Sequence, residues 1–481
     1  MESSVTPLGL DRKARAELWK VVAETIESYW QAVEQLPVSP SLDLKSIRQF
    51  AESFTFETPL EANAALRTVA SELVKGQVHT AHPQYFGLFN PAPAAMSIAA
   101  DALVAALNPQ LAAWSHSPAA VEIERHVVRE LAAKLGFTRE SSDGVFAGGG
   151  AEANQTAVLA ALAHRWPEIN AGGLRSLQEE PVFYVSAEGH HTFARAARTA
   201  GLGSNSLREI AVADDLKIDL NALEAAIQQD RASGYSPFLL VGTAGTTAAG
   251  VVDPLPALAD FARRQGLWFH VDAAWGGAAA LAPNLRPVLD GIEQADSITF
   301  DAHKWLSVPM GAGIFLTRHP EILHRVFTIE TAYMPKEGPR MQVTDPYSHS
   351  IQWSRRFIGL KLFLTLAVAG WDGYAAAIGH QAEMGDLLRK RLLEDDWKIV
   401  NCTPLPLACF TDARAEWDLA ACQRIADAVV SSGQAWISTV QLGRQKRPAL
   451  RACITNYRTE PRHIEALLTV LNRERRSIAA S

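Results

Sequence analysis

LWFHVDAAWGG, residues 267–277, and ADSITFDAHKW, residues 295–305, decide how this chain folds. Each opens on a short apolar, β-branched or aromatic run and closes on charge: Asp272 in the first, His303 and Lys304 in the second. A run of that length, bounded by small residues, reads as a strand buried on both faces. Aspartate and lysine are seldom buried without a task. An ion pair between Asp272 and Lys304 is one reading. A shared site at the strand ends is the other, because ligands of open parallel sheets bind where the strands finish.

The same punctuation recurs on either side. PVFYVS (181–186), PFLLVG (237–242) and AGIFLT (312–317) join 267–271 and 296–300 as strand candidates. Helical patterns lie between them at 151–166, 191–200, 219–230 and 254–265. This alternation predicts an α/β domain with a mostly parallel sheet and helices on both faces. Further out, 11–35 is an amphipathic helix with Leu18, Val21, Val22, Ile26 and Trp30 at helical spacing. PVSPSLD follows as a linker, and 59–75 as another helix. These helices have no evident core of their own and are expected to pack on the main body or on a second chain. After Gly370 the pattern predicts a helix at 374–394, strands near 398–411, 435–440 and 449–455, and a closing helix at 460–475. Three units result: a helical, dimerising segment over 1–80, a large α/β domain over 81–373, and a small α+β domain over 374–481.

Bulk properties narrow the function classes. The 481 residues exceed one compact core of ordinary size. A net charge of -7 gives no electrostatic reason to expect nucleic acid or an anionic membrane as partner. Cys402, Cys409, Cys422 and Cys453 show no C-x-x-C spacing, so neither a disulfide framework nor a zinc or other metal site is expected. The first residues lack a signal-type apolar core, and there is no stretch of about 20 uncharged apolar residues. A cytoplasmic enzyme is the expectation.

Three more segments end at predicted strands. In FAGGGAEANQTAVLAAL (146–162), Gly148, Gly149 and Gly150 lead into a helix whose free N–H groups suit an anion such as a phosphate; plain turn chemistry is the alternative. In YVSAEGHHTFARAARTAGL (184–202), His190 and His191 open a helix, where a cap or surface role is equally natural. In LLVGTAGTTAAGVVDP (239–254), Thr243, Gly245, Thr246 and Thr247 leave room for a flat ligand, or form a polar loop. Together these parts fit one chemistry. A lysine amine condenses with the aldehyde of pyridoxal 5'-phosphate (PLP). An aspartate facing the pyridine nitrogen favours the cationic ring, an electron sink. An imidazole stacks on one ring face and a small residue such as Ala274 lies against the other.

On these motifs the chain resembles the group II PLP-dependent amino-acid decarboxylases, a family that includes the aromatic-L-amino-acid, glutamate and cysteine-sulfinate enzymes. H-V-D-A-A-W at 270–275, followed by H-K-W at 303–305, is the most specific part, and the likeness runs from about 55 to 475. The resemblance implies PLP fold type I, aspartate-aminotransferase-like, with a seven-stranded sheet in the large domain. It implies Lys304 as the PLP-linking lysine, Asp272 as partner of the ring nitrogen, His190 as the stacking histidine and Ala274 as the residue under the ring. Thr246 would lie beside the cofactor, Gly149, Gly150 and Ala151 at its phosphate, and His303 next to them. Arg451, in ALRACITN, matches an arginine near the substrate carboxylate, and Arg355, in SRRFIGLK, one whose role is at least as readily structural. Tyr333, in TIETAYMPKEG, falls where decarboxylases keep the tyrosine that reprotonates the α-carbon; a phenol can donate that proton and a phenyl ring cannot. HPQYFGLFNPAP (82–93) matches the side-chain pocket and offers Tyr85, Phe86, Leu88 and Phe89, with Trp114 beyond. Those rings suit an aromatic or apolar substrate, with core packing as the alternative for each. A homodimer with a shared active site, the Tyr333 loop coming from the partner chain, is implied as well.

Two positions depart from the family. Ala151 stands where many relatives have serine, and Asp301 where others have asparagine; no phosphate role passes to Asp301. The expected activity is decarboxylation of an L-amino acid to amine and CO2. The alternatives are an oxygen-using aldehyde synthase, another lyase of the family, or a non-catalytic dimeric member.

Overall fold

The computed structural model describes residues 8–329, 341, 343–414, 416 and 418–479. Among these, seven strands make one large sheet: β1 (Asp143–Ala147), β2 (Glu180–Ser186), β3 (Leu207–Ile210), β4 (Tyr235–Thr243), β5 (Trp268–Asp272), β6 (Ser297–Asp301) and β7 (Gly313–Thr317). Their order is β1-β7-β6-β5-β4-β2-β3. β7 runs antiparallel to both neighbours, and the other pairings are parallel. The mostly parallel sheet expected from the sequence is present, with β5 and β6 side by side at its centre.

The two faces of the sheet are covered by different helices, and alternate strand residues divide between them. Phe183, Val185, Leu239, Val241 and Trp268 pack with the helices Gly150–Arg165 and Thr192–Thr199. Val182, Tyr184, Leu240, Phe269, Val271 and Ile298 pack on the other side with Pro118–Lys134, Leu220–Ala232 and Leu255–Gln265. Asp219 caps the second of these, accepting from Asn221 N and Ala222 N, where four N–H groups would otherwise lack partners.

The small C-terminal domain holds a four-stranded antiparallel sheet, β10-β11-β9-β8, built from β8 (Trp397–Ile399), β9 (Leu407–Asp412), β10 (Ser438–Leu442) and β11 (Arg447–Cys453). The helices Leu419–Ser431 and Pro461–Ala479 close its core. The helix Leu360–Glu394 leads into it from the large sheet. By length and composition this helix is apolar enough to cross a membrane, but Gly370, at φ 66, breaks its geometry, and Leu362, Ile378, Leu388 and Leu392 are buried within the protein.

At the N-terminus, Arg12–Ala32 buries only Val21, and the helices Leu44–Glu52 and Ala62–Lys75 bury no residue at all in the single chain.

Candidate active site

The carboxyl ends of β4, β5 and β6 and the turn after β1 open into one cavity of about 100 Å3. Asp272, the last residue of β5, is buried there. Its Oδ2 accepts from Asn154 Nδ2 at 2.9 Å and its Oδ1 from Ala274 N at 3.1 Å. Lys304 lines the same cavity, three residues past the end of β6. The ion pair it makes is not with Asp272: its Nζ lies 3.1 Å from Asp301 Oδ2. Asp301 is buried and its Oδ1 has no hydrogen-bond partner among the described residues.

Gly148–Gly150 form the turn between β1 and the helix Gly150–Arg165. The turn lies hard against neighbouring backbone and side chains. A Cβ on Gly150 would stand 2.8 Å from Asp301 Oδ2, and one on Gly149 3.6 Å from His303 Cε1. Gly150 and Ala151 line the cavity, and His303 backs the turn with its Nδ1 accepting from Ala312 N. Burial pulls the His303 pKa below its ordinary value, against the pull of Asp301.

His190 lines the cavity too, with Nδ1 accepting from Thr192 N at 3.2 Å and lying 3.0 Å from Thr192 Oγ1. The ring is open to solvent in the single chain, yet the protein crowding its inner side desolvates it enough to lower its pKa. Asp272 opposes that shift and Lys304 adds to it. Ala274 is buried at the cavity wall. Thr246, in contrast, is fully buried within its turn and accepts from Val251 N, while Thr243 and Thr247 reach the cavity. Tyr333 lies outside the described residues.

Of the expected side-chain contacts, Phe89 alone sits among these residues. Its ring stacks on Trp275 at 4.6 Å between centroids, with Lys304 Nζ 5.6 Å and the Arg451 guanidinium 5.0 Å from its centre. Phe86 is fully buried in the small-domain core, and its backbone N–H donates to Trp436 O. Tyr85 packs on Trp436, Leu88 is half-exposed, and Trp114 bonds Glu122. Arg451 does not line the cavity. It is buried below Phe89, donating to Thr247 O and Gly87 O, with Nη2 unpartnered among the described residues. Arg355 belongs to a separate, small cavity of about 40 Å3, where it pairs with buried Glu124, whose other oxygen accepts from Ile358 N and Gly359 N. That pair anchors the start of a long helix and takes a structural role.

PLP suits what is present. Thr243 Oγ1 and Asp301 Oδ1 are buried polar atoms at the cavity with no partner among the described residues, Asp272 presents a carboxylate, and the packing of the turn leaves no room for a side chain at Gly150. The sequence reading missed Asn154, Thr192 and Trp275. Asn154 had a signal: it falls one helical turn after Gly150, on the face that the glycine turn already directs at the cavity.

Residues 46–412 match the family described as the pyridoxal-dependent decarboxylase conserved domain. The chain is 30% identical over 474 residues to a 4-hydroxyphenylacetaldehyde synthase of Rhodiola rosea, covering 96% of this chain and 95% of that protein. It is 28% identical over 462 residues to an aromatic-L-amino-acid decarboxylase of Bacillus atrophaeus, covering 94% and 93%. Its fold superposes on the crystal structure of Oryza sativa TDC with PLP and tryptamine with a TM-score of 0.91 at 25% identity, covering 99% and 100% of the two chains.

Proposed function

This chain belongs to the pyridoxal-dependent decarboxylase family and is a PLP-dependent carboxy-lyase, and from that premise we propose that it converts an aromatic or apolar L-amino acid to its amine. The observation that carries the reading is the meeting of Lys304, Asp272 and the glycine turn, from three separate strand ends, at one cavity.

PLP supplies an aldehyde that captures the substrate nitrogen and a ring that accepts the electron pair freed as CO2 leaves. Lys304 would be its covalent anchor. Asp272 would hold a proton on the ring nitrogen, since a carboxylate close to that atom favours its charged form. His190 and Ala274 would flank the ring. The backbone N–H groups of Gly149, Gly150 and Ala151, at the start of a 16-residue helix, would hold the phosphate, with His303 beside them. Thr246 keeps its turn in shape through Val251 N. Phe89 offers the substrate side chain an apolar face. Arg451 supports that face from below by holding Gly87 and Thr247. Tyr333 delivers the proton to the α-carbon.

Mass spectrometry of products tests this. Protein supplied with PLP, in air, is offered aromatic, aliphatic and acidic amino acids. The expected product is an amine lacking only CO2, formed from an aromatic or apolar substrate without peroxide and lost in Lys304→Ala. Turnover confined to acidic substrates would end the assignment of substrate class. The likeness to an aldehyde synthase favours one second reading, oxidative deamination. An aldehyde with peroxide and ammonia would establish it and remove Tyr333 from control of the outcome.

A further inference from the structure

Alternate residues of the two central strands carry an unusual load. Trp268, His270 and Asp272 share one face of β5, and Ser297, Thr299 and Asp301 share the same face of β6. His270 stands opposite Ser297 and Asp272 opposite Thr299. All six are buried, beneath the helix Gly150–Arg165. Polar groups so placed need partners, and they find them in a line. Trp268 Nε1 lies 2.8 Å from Ser297 Oγ, which lies 2.8 Å from His270 Nδ1. His270 Nε2 is 3.3 Å from both Asn154 Oδ1 and Thr299 Oγ1, and Asn154 Nδ2 is 2.9 Å from Asp272 Oδ2.

The donor chemistry gives this line one direction. A carboxylate only accepts, so Asn154 turns its NH2 to Asp272 and its oxygen to His270. That oxygen needs a donor, so the proton of His270 sits on Nε2. Burial keeps His270 neutral, pulling its pKa to about 4 against the charge of Asp272, so Nδ1 is bare and accepts. Ser297 therefore donates its hydroxyl to Nδ1 and accepts from Trp268, which can only donate. The second N–H of Asn154 goes to Thr192 Oγ1 at 3.0 Å, leaving the Thr192 hydroxyl to donate to His190 Nδ1.

We infer that Asn154 is a positioning residue, locked by the Trp268–Ser297–His270 line, that fixes the Asp272 carboxylate at the cavity and ties it through Thr192 to His190. The inference deepens the proposed function, because it takes Asp272 and His190 as the groups flanking PLP. Asn154 itself need not touch the cofactor to act. Its loss frees Asp272 Oδ2 and removes the shared tie.

Two measurements test it. The first needs no cofactor: 15N spectra of histidine-labelled protein without PLP, with His270 assigned by its absence in His270→Gln. The expected signal is a neutral ring protonated on Nε2 through pH 6–8; a proton on Nδ1 would overturn the line. The second follows PLP affinity and the pH dependence of the bound cofactor's absorbance in Asn154→Ala, Asn154→Asp and Ser297→Ala. The groups facing His190 in that titration are Asp272, Lys304, His191 and Asp301, and the one facing His270 is Asp272. Asn154→Ala is expected to weaken PLP at least tenfold and to move the pH transition, Asn154→Asp to do so further, and Ser297→Ala to move it the same way by less. Folded Asn154 variants with unchanged affinity and unchanged transition would overturn the inference. Shifted transitions in a protein that decarboxylates nothing would leave the positioning role standing and retire the proposed function alone.

Discussion

Asp301 puts a carboxylate against the first residue of the helix proposed to receive the phosphate, within 2.8 Å of where a Gly150 Cβ would lie. The same oxygen pairs with Lys304 at 3.1 Å, and His303 Nε2 is 3.8 Å away. With one anion already in a cradle built for another, the charges of Asp301 and the phosphate oppose each other while the Lys304 ammonium is held away from its partner. Asp301→Asn is therefore expected to bind PLP more tightly, on the order of tenfold, or about 1.4 kcal/mol, as read by fluorescence titration. A fall in affinity would mean that Asp301 assists the cofactor. At this scale the sequence was partly legible. Lys304, Asp272 and the glycines stand out because charge and glycine at the end of an apolar run are rare. The partner of Lys304 was not legible: a strand end three residues upstream in sequence competes with one on a neighbouring strand, and only the backbone between them decides. Phe86 and Phe89 are chemically alike, and nothing in the YFGLFN pattern says that one turns into the small-domain core and the other toward Lys304.

β7 holds the glycine turn, proposed to receive the phosphate, as much as the turn holds itself. Gly313 opens β7, pairs with Ala147 of β1 and lies so close to the turn that a Cβ there would meet Gly149 backbone atoms at 2.5 to 2.8 Å. Backbone cannot step aside as a flexible side chain can, so Gly313→Ala is expected to push the turn outward. The predicted result is at least a tenfold weaker hold on PLP, equivalent to about 1.4 kcal/mol or more, with the far-ultraviolet circular dichroism of the fold retained. Unchanged affinity would show that the turn is not the phosphate site. The strands of the interior were readable because both of their faces are buried, and the helices because one face is. β3, at one edge of the sheet, escaped the reading, since LREI has one buried residue of four; β1, at the other edge, was read only as a strand end at Phe146, since DGVFA opens on a charge and a glycine. An edge strand buries less, and with less burial goes less of the pattern by which strands are recognised.

The N-terminal helices bury almost nothing in the single chain. Leu44, Phe56, Leu60 and Leu73 are exposed, Phe56 at 91%, and on the main body Leu103, Leu107 and Val368 are exposed as well. Apolar surface on this scale is the mark of an association face, and a two-fold pairing would cover both copies at once. We propose a homodimer with shared active sites, Tyr333 of one chain serving the Lys304 of the other, as the family resemblance implies. Subunit mixing tests both halves of that statement. Lys304→Ala and Tyr333→Phe chains are each expected to fail at amine formation alone. In a mixed dimer, service across the interface gives one site with the lysine of one chain and the tyrosine of the other, both intact. Co-expression should then restore about a quarter of wild-type amine formation, if chains pair at random, and the active particle should sediment at twice the 52.2 kDa chain mass. Were Tyr333 to serve its own chain, each site in the mixed dimer would lack one of the two groups and nothing would be restored. Activity sedimenting as a monomer would dismiss the dimer itself and leave the exposed helices facing some other partner.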